Sequence, residues 1–476
     1  MTTLVIDIGS SSVRALLVDE DLRTIGESVS RCQHAFHTAP DGTSVADPRS
    51  SSGLVEEAVS GALAHPRAQH ITAVGMDTFV GNLLGVDADN NPVTPLFTYA
   101  DTRSADAVQH IADEIDVEAM HQRTGCPHHT AYHPGRLHWL QQSQPETVAK
   151  VARWLDFGTY LYRVWFGRAV PASYSVSSWS GLMNRHDMMW DAPLLDYLTV
   201  APEKLPALAD VYDAQQGLAA EYAQMWPALH EVPFYLPVGD GAAANIGSGG
   251  VHAGHLVLTI GTTAALRIVK KDGRGEIPQG LWEYSVDKER HLLGGATSEG
   301  GNIYEWAAGT LNLNGTDTET ALAGRTPDGH GLTFLPLLAG ERSPGYATRA
   351  TGTLHGLRLF TTSLDILQAG MEGVALRLAL IADLLTEPGT PVYGGGGAMY
   401  ASDVWAQIIA DALNRPLHVL DEPEVTARGV AAIVLRKFDA AASPKIAHSI
   451  HPIARHVSIY AEARQRQAEL YRKMVK

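Results

Sequence analysis

The chain opens on a run of apolar, β-branched positions, Thr3–Ile8, breaks at Gly9–Ser10–Ser11, and resumes as a second apolar run, Val13–Val18. Two such runs around a glycine–serine break predict a β-hairpin. Asp7 interrupts the apolar pattern one residue before the first run ends. A similar pattern returns at Leu256–Ile260, Gly261–Thr262–Thr263 and Ala264–Val269. Ile8–Gly9–Ser10–Ser11 then lies over Ile260–Gly261–Thr262–Thr263, with Thr259 where the first copy has Asp7. The interval is far too long for a solenoid repeat, so the self-similarity predicts two related lobes.

Between the hairpins, the pattern predicts a helix over Ser52–Leu63 and strands at Ile71–Met76 and Leu83–Val86. Residues 101–230 read as mainly helical, with Trp154, Tyr160, Tyr162, Trp165 and Phe166 as helix core. The glycine-rich stretch VGDGAAANIGSGG marks a boundary, giving an N-terminal lobe of residues 1–237 and a C-terminal lobe of residues 238–476. The second half again reads strand, glycine loop, helix, and the tail from Ile459 is a polar helix.

At 476 residues the chain is long enough for two or three domains. A formal net charge of −16 and no Lys/Arg run argue against general nucleic-acid binding. Cys32 and Cys126 form no CxxC, which points to a reducing compartment. Neither a signal-peptide pattern nor an apolar run of membrane-spanning length is visible. A cytoplasmic protein is expected.

The hairpin breaks carry candidate chemistry. Each is either an ordinary turn or a phosphate loop, in which glycine admits an anion close to successive N–H groups and hydroxyls. On the second reading, Asp7 faces a cation bound with the phosphates. The chain has no GxxxxGK[ST] and no HRD…DFG set, which excludes the P-loop and protein-kinase solutions. PVYGGGGAMYASDVWAQIIADAL joins a strand, four glycines and a helix, but the glycine spacing is not GxGxxG. It reads as a helix-capping loop or as a loop over a nucleoside. Phosphorylation of an alcohol needs a carboxylate near the hydroxyl. Asp240, in Gly239–Asp240–Gly241 before a helix of small residues, serves either as that base or as a helix N-cap. His128, His129 and His133 lack the acids or thiols that would complete a metal set, and read as loop packing.

The series DIGSSS, DTR, GDGAAANIGSG, LTIGTT, LPLLAGERSP, GGGGAMY and ARG, from Leu4 to about Tyr471, resembles the FGGY carbohydrate kinases. The resemblance implies an α/β fold with two actin-like, ribonuclease-H-like lobes and an active-site cleft between them. It also implies ATP- and Mg²⁺-dependent phosphorylation of a sugar, sugar acid or polyol. By the same resemblance, Asp240 is the catalytic base. Asp7 and Asp240 serve Mg²⁺, partly through water. Gly9, Ser10, Ser11, Gly261 and Thr262 take the phosphates. Gly301, Glu305, Gly396, Gly397 and Ala401 touch the nucleotide, and Thr78, Phe79 and Arg136 join Asp240 at the acceptor. Gly241 stands where many relatives carry an amide.

YADTRS, RTGCPHHTAYHPGRLHWL, SVSSWSGLMNRHDMMWD and HLLGGATSEGGNIYEW are similar to the gluconate-kinase-like branch. Gluconate is therefore the expected acceptor, its carboxylate held by Arg136 or Arg103; for Arg103, an ion pair with Asp101 is the competing role. A xylulose or other ketose or polyol kinase is the alternative within the family. An actin- or chaperone-like ATPase and a non-catalytic sugar sensor are the alternatives outside it. The only partner expected is a small carbohydrate, with no nucleic acid or membrane; a homodimer is compatible with the resemblance.

Overall fold

The computed structural model describes residues 2–271, 273–313 and 315–475. Strands β1 (Thr2–Ile8), β2 (Ser12–Asp19), β3 (Ser30–Gln33), β4 (Ile71–Thr78) and β5 (Val238–Gly239) form one sheet in the order β5-β4-β1-β2-β3. Strands β6 (Leu256–Ile260), β7 (Ala264–Lys270), β8 (Trp282–Ser285), β9 (His291–Thr297), β10 (Val392–Gly395), β11 (Leu417–Leu420) and β12 (Ile446–Ile450) form a second, in the order β8-β9-β7-β6-β10-β11-β12. In each sheet an antiparallel hairpin carries a third antiparallel strand on one side and two parallel strands on the other. Thus β3-β2-β1-β4-β5 repeats as β9-β7-β6-β10-β11, and the duplication expected from the two hairpins is present in the topology.

The parallel strands are covered on both faces, which is why β1 and β4 read as nearly continuous apolar runs. Helix α1 (Pro48–Leu63) starts four residues earlier than its apolar pattern, because Asp47 caps it through Ser50 N and Pro48 suits its first turn. It buries Val55, Ala58, Val59 and Ala62. Helices α2 (Asp240–Gly247), α3 (Asn302–Thr310), α4 (Ser363–Leu385), α5 (Gly397–Ala401), α6 (Asp403–Leu413) and α7 (Val425–Val434) carry or support the site. Residues 101–230 are less helical than expected: short strand pairs interrupt them, and Trp154 lies on the strand Arg153–Leu155. The other four aromatics are on the helix Phe157–Phe166, where Trp165 meets Trp226 edge-on at 5.1 Å.

The division placed at 237/238 cuts through a continuous unit. β5 hydrogen-bonds to β4 and runs directly into α2, so the first sheet extends to Gly239 and the second sheet begins at Leu256. α2 and α7 then cross at backbone contact. A Cβ on Gly247 would lie 1.7 Å from Val425 O, and one on Gly429 would lie 1.8 Å from Ala243 O. α7, although late in the chain, packs on the first sheet: a Cβ on Gly75 of β4 would come within 2.6 Å of Val430 Cγ1. One apolar cluster accordingly mixes Val5, Leu16 and Ala73 with Val430, Ile433 and Val434.

This crossing predicts that Gly429→Ala pushes α2 and α7 apart. Alanine gains about 1 kcal/mol of helix propensity, but the obstacle is a backbone carbonyl that cannot rotate away, and overpacking costs about 1–3 kcal/mol. Calorimetric Tm should fall, and turnover should fall more than nucleotide affinity, because α2 carries Asp240.

Candidate active site

The parallel register sets Asp7 beside Asp77, and Asp77 beside Val238, two residues before Asp240. Three carboxylates thus emerge at the C-terminal ends of β1, β4 and β5, where open α/β sheets bind ligands. Asp7 pairs with Arg14, its cross-strand partner in the hairpin, and Arg14 Nη1 donates to Glu424 Oε2 at 2.7 Å. The charge in the opening strand is therefore met first by a guanidinium of the chain itself. Burial, partly opposed by Arg14, holds the Asp7 carboxyl above its usual range. Asp77, absent from the expected set, is wholly buried, and neither of its carboxylate oxygens receives a donor. Burial first, then the charges of Asp7 and Asp240, push its carboxyl well above the normal carboxylate range.

Asp240 is the first residue of α2, following Gly239 at the N-cap. The alternative role as an N-cap therefore does not apply. Its side chain is half-buried, and Oδ1 accepts from Gly241 N at 2.7 Å. Burial pushes its carboxyl up to about 6, against the Gly241 hydrogen bond and the Arg267 guanidinium. Trp179 closes one side: a Cβ on Gly241 would lie 2.9 Å from its ring, which explains the missing side chain at that position. Trp179 stacks on Tyr284 with centroids 3.6 Å apart, and the Tyr284 and Tyr132 hydroxyls are 2.5 Å apart.

Other expected acceptor residues lie inside the fold. Phe79 is buried against Phe36, centroids 5.2 Å apart, and Thr78 is fully buried. Arg136 Nη1 donates to Gly81 O at 2.9 Å and Nη2 to Thr98 O at 2.7 Å, so it staples two loops together. Arg103 pairs with Asp101 at 2.6 Å and lies 4.7 Å from the Trp139 ring centre. Arg267 on β7, not singled out from the sequence, lies close enough to Asp240 to favour its ionised form, and Arg342 lies close to Arg267.

The second hairpin borders a cavity of ≈ 460 Å³. Gly261, Thr262, Gly301, Glu305, Gly397 and Ala401, from three separate segments, line it together. Gly301 N donates to Gly261 O at 2.7 Å, which docks the start of α3 on the hairpin turn. Gly396 has φ +107° and leaves no room for a Cβ, which would sit 2.3 Å from Ile260 O. Asp7, Gly9, Ser10 and Ser11 do not line this cavity; Ser10 and Ser11 are exposed at the equivalent turn of the first lobe, where His34 Nε2 holds Gly9 O at 3.0 Å.

The histidine segment is used internally: His128 Nε2 lies 2.5 Å from Val108 O and His133 Nε2 lies 3.1 Å from Asn82 O. Among the described residues, Asp328, His330 and Glu372 form the one cluster of metal-ligating type. His330 Nδ1 accepts from Leu332 N at 2.9 Å, which leaves its Nε2–H to donate to Glu372 at 2.9 Å. Asp328 pairs with Arg466, so the cluster is closed by its own partners.

A carboxylate at a helix start and two glycine hairpins on duplicated sheets can be set beside known proteins. The N-terminal domain of the FGGY family of carbohydrate kinases matches residues 2–247, and the C-terminal domain of that family matches residues 256–437. The chain belongs to the FGGY family of carbohydrate kinases. It is a kinase of the sugar-phosphorylating type. The gluconokinase of Bacillus subtilis (strain 168) is 26% identical over 451 residues, 90% of this chain and 86% of that one. The xylulose kinase of Streptomyces rubiginosus is 28% identical over 473 residues, 92% and 91% of the two chains. The crystal structure of gluconate kinase from Lactobacillus acidophilus superposes with a TM-score of 0.91 at 21% identity, covering 100% of this chain and 98% of that one. The two-lobed α/β fold is thus shared with solved kinases. No described helix is long and apolar enough to cross a membrane.

Two outcomes follow from this geometry. A Cβ on Gly261 meets no protein atom within 4 Å. Gly261→Val should therefore keep its Tm while nucleotide affinity by calorimetry drops roughly ten- to a hundredfold, the equivalent of about 1–3 kcal/mol of crowding. The second concerns pH. A base works only when ionised, so kcat/KM should fall on the acid side with an apparent pKa near 6. Arg267→Met removes a charge that favours the carboxylate and should move that limb to higher pH; a limb left near 4 in the wild type would exclude Asp240.

Proposed function

We propose that this kinase transfers the γ-phosphoryl group of ATP to a hydroxyl of a small sugar acid, with D-gluconate, giving 6-phosphogluconate, as the best-supported acceptor. The observation that carries the reading is Asp240. It is a half-buried carboxylate at a helix start, held near pKa 6, with the Arg267 guanidinium, which has no carboxylate in ion-pair range, close by. A neutral acceptor has no charge for such groups to meet. The gluconokinase relatives support the same choice, while the similarly distant xylulose kinases keep the ketose alternative in the test.

The residues of the cleft suit a nucleotide and its metal. Gly261, Gly301 and Gly397 leave this wall of the cavity free of side chains, so a phosphate chain can approach the backbone there. Asp7, Asp77 and Asp240 place acid groups at three adjacent strand ends, and the two oxygens of Asp77 have no donor of their own. Bound Mg²⁺ would offset charge on the phosphates. Asp7 and Asp240 would hold it through water. Asp240 accepts the proton of the attacking hydroxyl. The start of α2 contributes its backbone dipole to the transferring group. Trp179 and the Tyr132–Tyr284 pair wall the acceptor from water, which would otherwise compete as nucleophile. We place the reaction in the cytoplasm, where Cys32 and Cys126, free and buried, remain reduced.

A coupled ADP-release screen over sugar acids, ketoses and polyols tests the reading. Gluconate should show the highest kcat/KM. A neutral ketose or polyol that surpasses every sugar acid would overturn the acceptor while leaving the kinase. Asp240→Asn keeps the shape and removes the base. Transfer should fall roughly 10²–10⁴-fold, with ATP affinity retained by calorimetry; near-normal turnover would remove Asp240 from the mechanism.

A further inference from the structure

Arginine in a protein interior normally finds acceptors for its fork of N–H groups. Arg377, one helix away from the cleft, does so: it pairs with Glu341, which also accepts from Tyr471 Oη. The next residue, Arg342, behaves differently. Among the described residues its guanidinium makes neither a hydrogen bond nor an ion pair. Arg267 makes one 3.3 Å contact to Thr259 Oγ1, its Nε is buried without an acceptor, and no carboxylate lies within ion-pair range of it.

The backbone brings these two arginines to one place. Arg267 on β7 is in register with Gly294 on β9, and Ala265 with Ala296. Ser343 bonds to Ala296 in both directions, N to O at 2.9 Å and N to Oγ at 3.1 Å. Arg342 is thereby fastened two register positions from Arg267. The Gly241 Cβ direction ends 3.8 Å from Arg267 Nε, so Arg267 lies beside the Asp240 turn; Asp240 feels the charge of Arg267, and Arg267 in turn that of Arg342. His129 completes the group. Its Nδ1 accepts from Ala131 N at 3.1 Å, which leaves Nε2–H as a free donor. Burial and the nearby Arg342 hold this imidazole neutral, its pKa lowered to about 4.

We propose that Arg342, with the His129 Nε2–H, binds the carboxylate of the acceptor at the end of the site away from Asp240. Arg267 lies between them, over the middle of an open-chain polyhydroxy acid. This assignment rests on the sugar-acid reading above and replaces Arg136, whose two terminal nitrogens are taken by backbone carbonyls, and Arg103, which is paired with Asp101. A planar guanidinium grips a carboxylate through two parallel hydrogen bonds, a fit that a neutral amide or hydroxymethyl group does not offer. Orientation follows: an acid held at Arg342 presents its far, primary hydroxyl to Asp240.

The test compares D-gluconate with D-gluconamide, its neutral counterpart, on the wild-type enzyme, Arg342→Gln and Arg342→Lys. Wild type should prefer gluconate by roughly 30- to 1,000-fold in kcat/KM, mostly through KM. Arg342→Gln should lose that preference, with the ratio of the two substrates falling to within a few-fold of one. Arg342→Lys should recover part of it. ATP affinity without acceptor, read by calorimetry, confirms that each variant is folded. If Gln fails this check, the Lys variant and the wild-type amide comparison still decide. A wild type that prefers gluconate over neutral acceptors, with Arg342→Gln keeping the full gluconate-to-gluconamide ratio, overturns Arg342 and leaves the sugar-acid reading standing. A wild type indifferent to the acid–amide exchange and faster on a ketose overturns both.

Discussion

Two helices touch through their backbones because Gly247 and Gly429 carry no side chains. That contact sets the geometry of the cleft. α2 leaves the first sheet at Asp240; α7 comes from the second half of the chain but lies on the first sheet, against Gly75. Any side chain at the crossing would move the base relative to both sheets. Interiors packed at crystal-like density do not absorb such a shift locally. The Asp240 carboxylate is therefore positioned by small residues at the crossing, a reason for the run of glycine and alanine in GDGAAANIG that is separate from helix propensity.

The second constraint is the cost of burying acids. Asp7 is tolerated because Arg14 stands opposite it in the hairpin, and Glu424 holds Arg14 in turn. Asp77 has no such partner, and burial favours its neutral form. Asp240 sits between these extremes, desolvated enough to be a stronger base than a surface aspartate and close enough to Arg267 to ionise near neutrality. Three chemically identical side chains on adjacent strand ends are thus given three different protonation preferences by their surroundings.

What could be read in the sequence was whatever the backbone expresses locally. Both hairpins were legible from apolar runs around glycine, and Asp240 from a strand, a glycine and a small-residue helix. Gly301, Gly397 and Ala401 meet Gly261 and Thr262 at one cavity. The partners of Arg136, the carbonyls of Gly81 and Thr98, come from chain segments whose approach no local pattern reports. Phe79 shows the same limit, since an aromatic after a strand reads alike whether it lines a site or fills a core. Asp77 had a usable signal: like Asp7, it is the penultimate residue of an apolar strand. Arg267 and Arg342 had none, since an arginine with no partner differs from a paired one only in three dimensions.

Arg267 and Arg342 carry charge opposite to that of the chain as a whole. With a formal net charge of −16, the long-range field opposes any anionic substrate. At physiological ionic strength, however, that field is screened over about 8 Å, so most surface acids contribute little inside the cleft. Arg267 and Arg342 act within that distance and in a partly desolvated setting, where an opposite charge counts for far more. A nucleotide and a sugar acid would bring further negative charge to the same cleft, and repulsion between them would have to be offset locally. Guanidinium groups without carboxylate partners do this without first breaking an ion pair. A salt-bridged arginine such as Arg103 would have to give up Asp101 before it could bind, losing most of what it gained. The unpaired state of Arg342 is thus itself a form of preorganisation: no ion pair has to break before an anion can bind there.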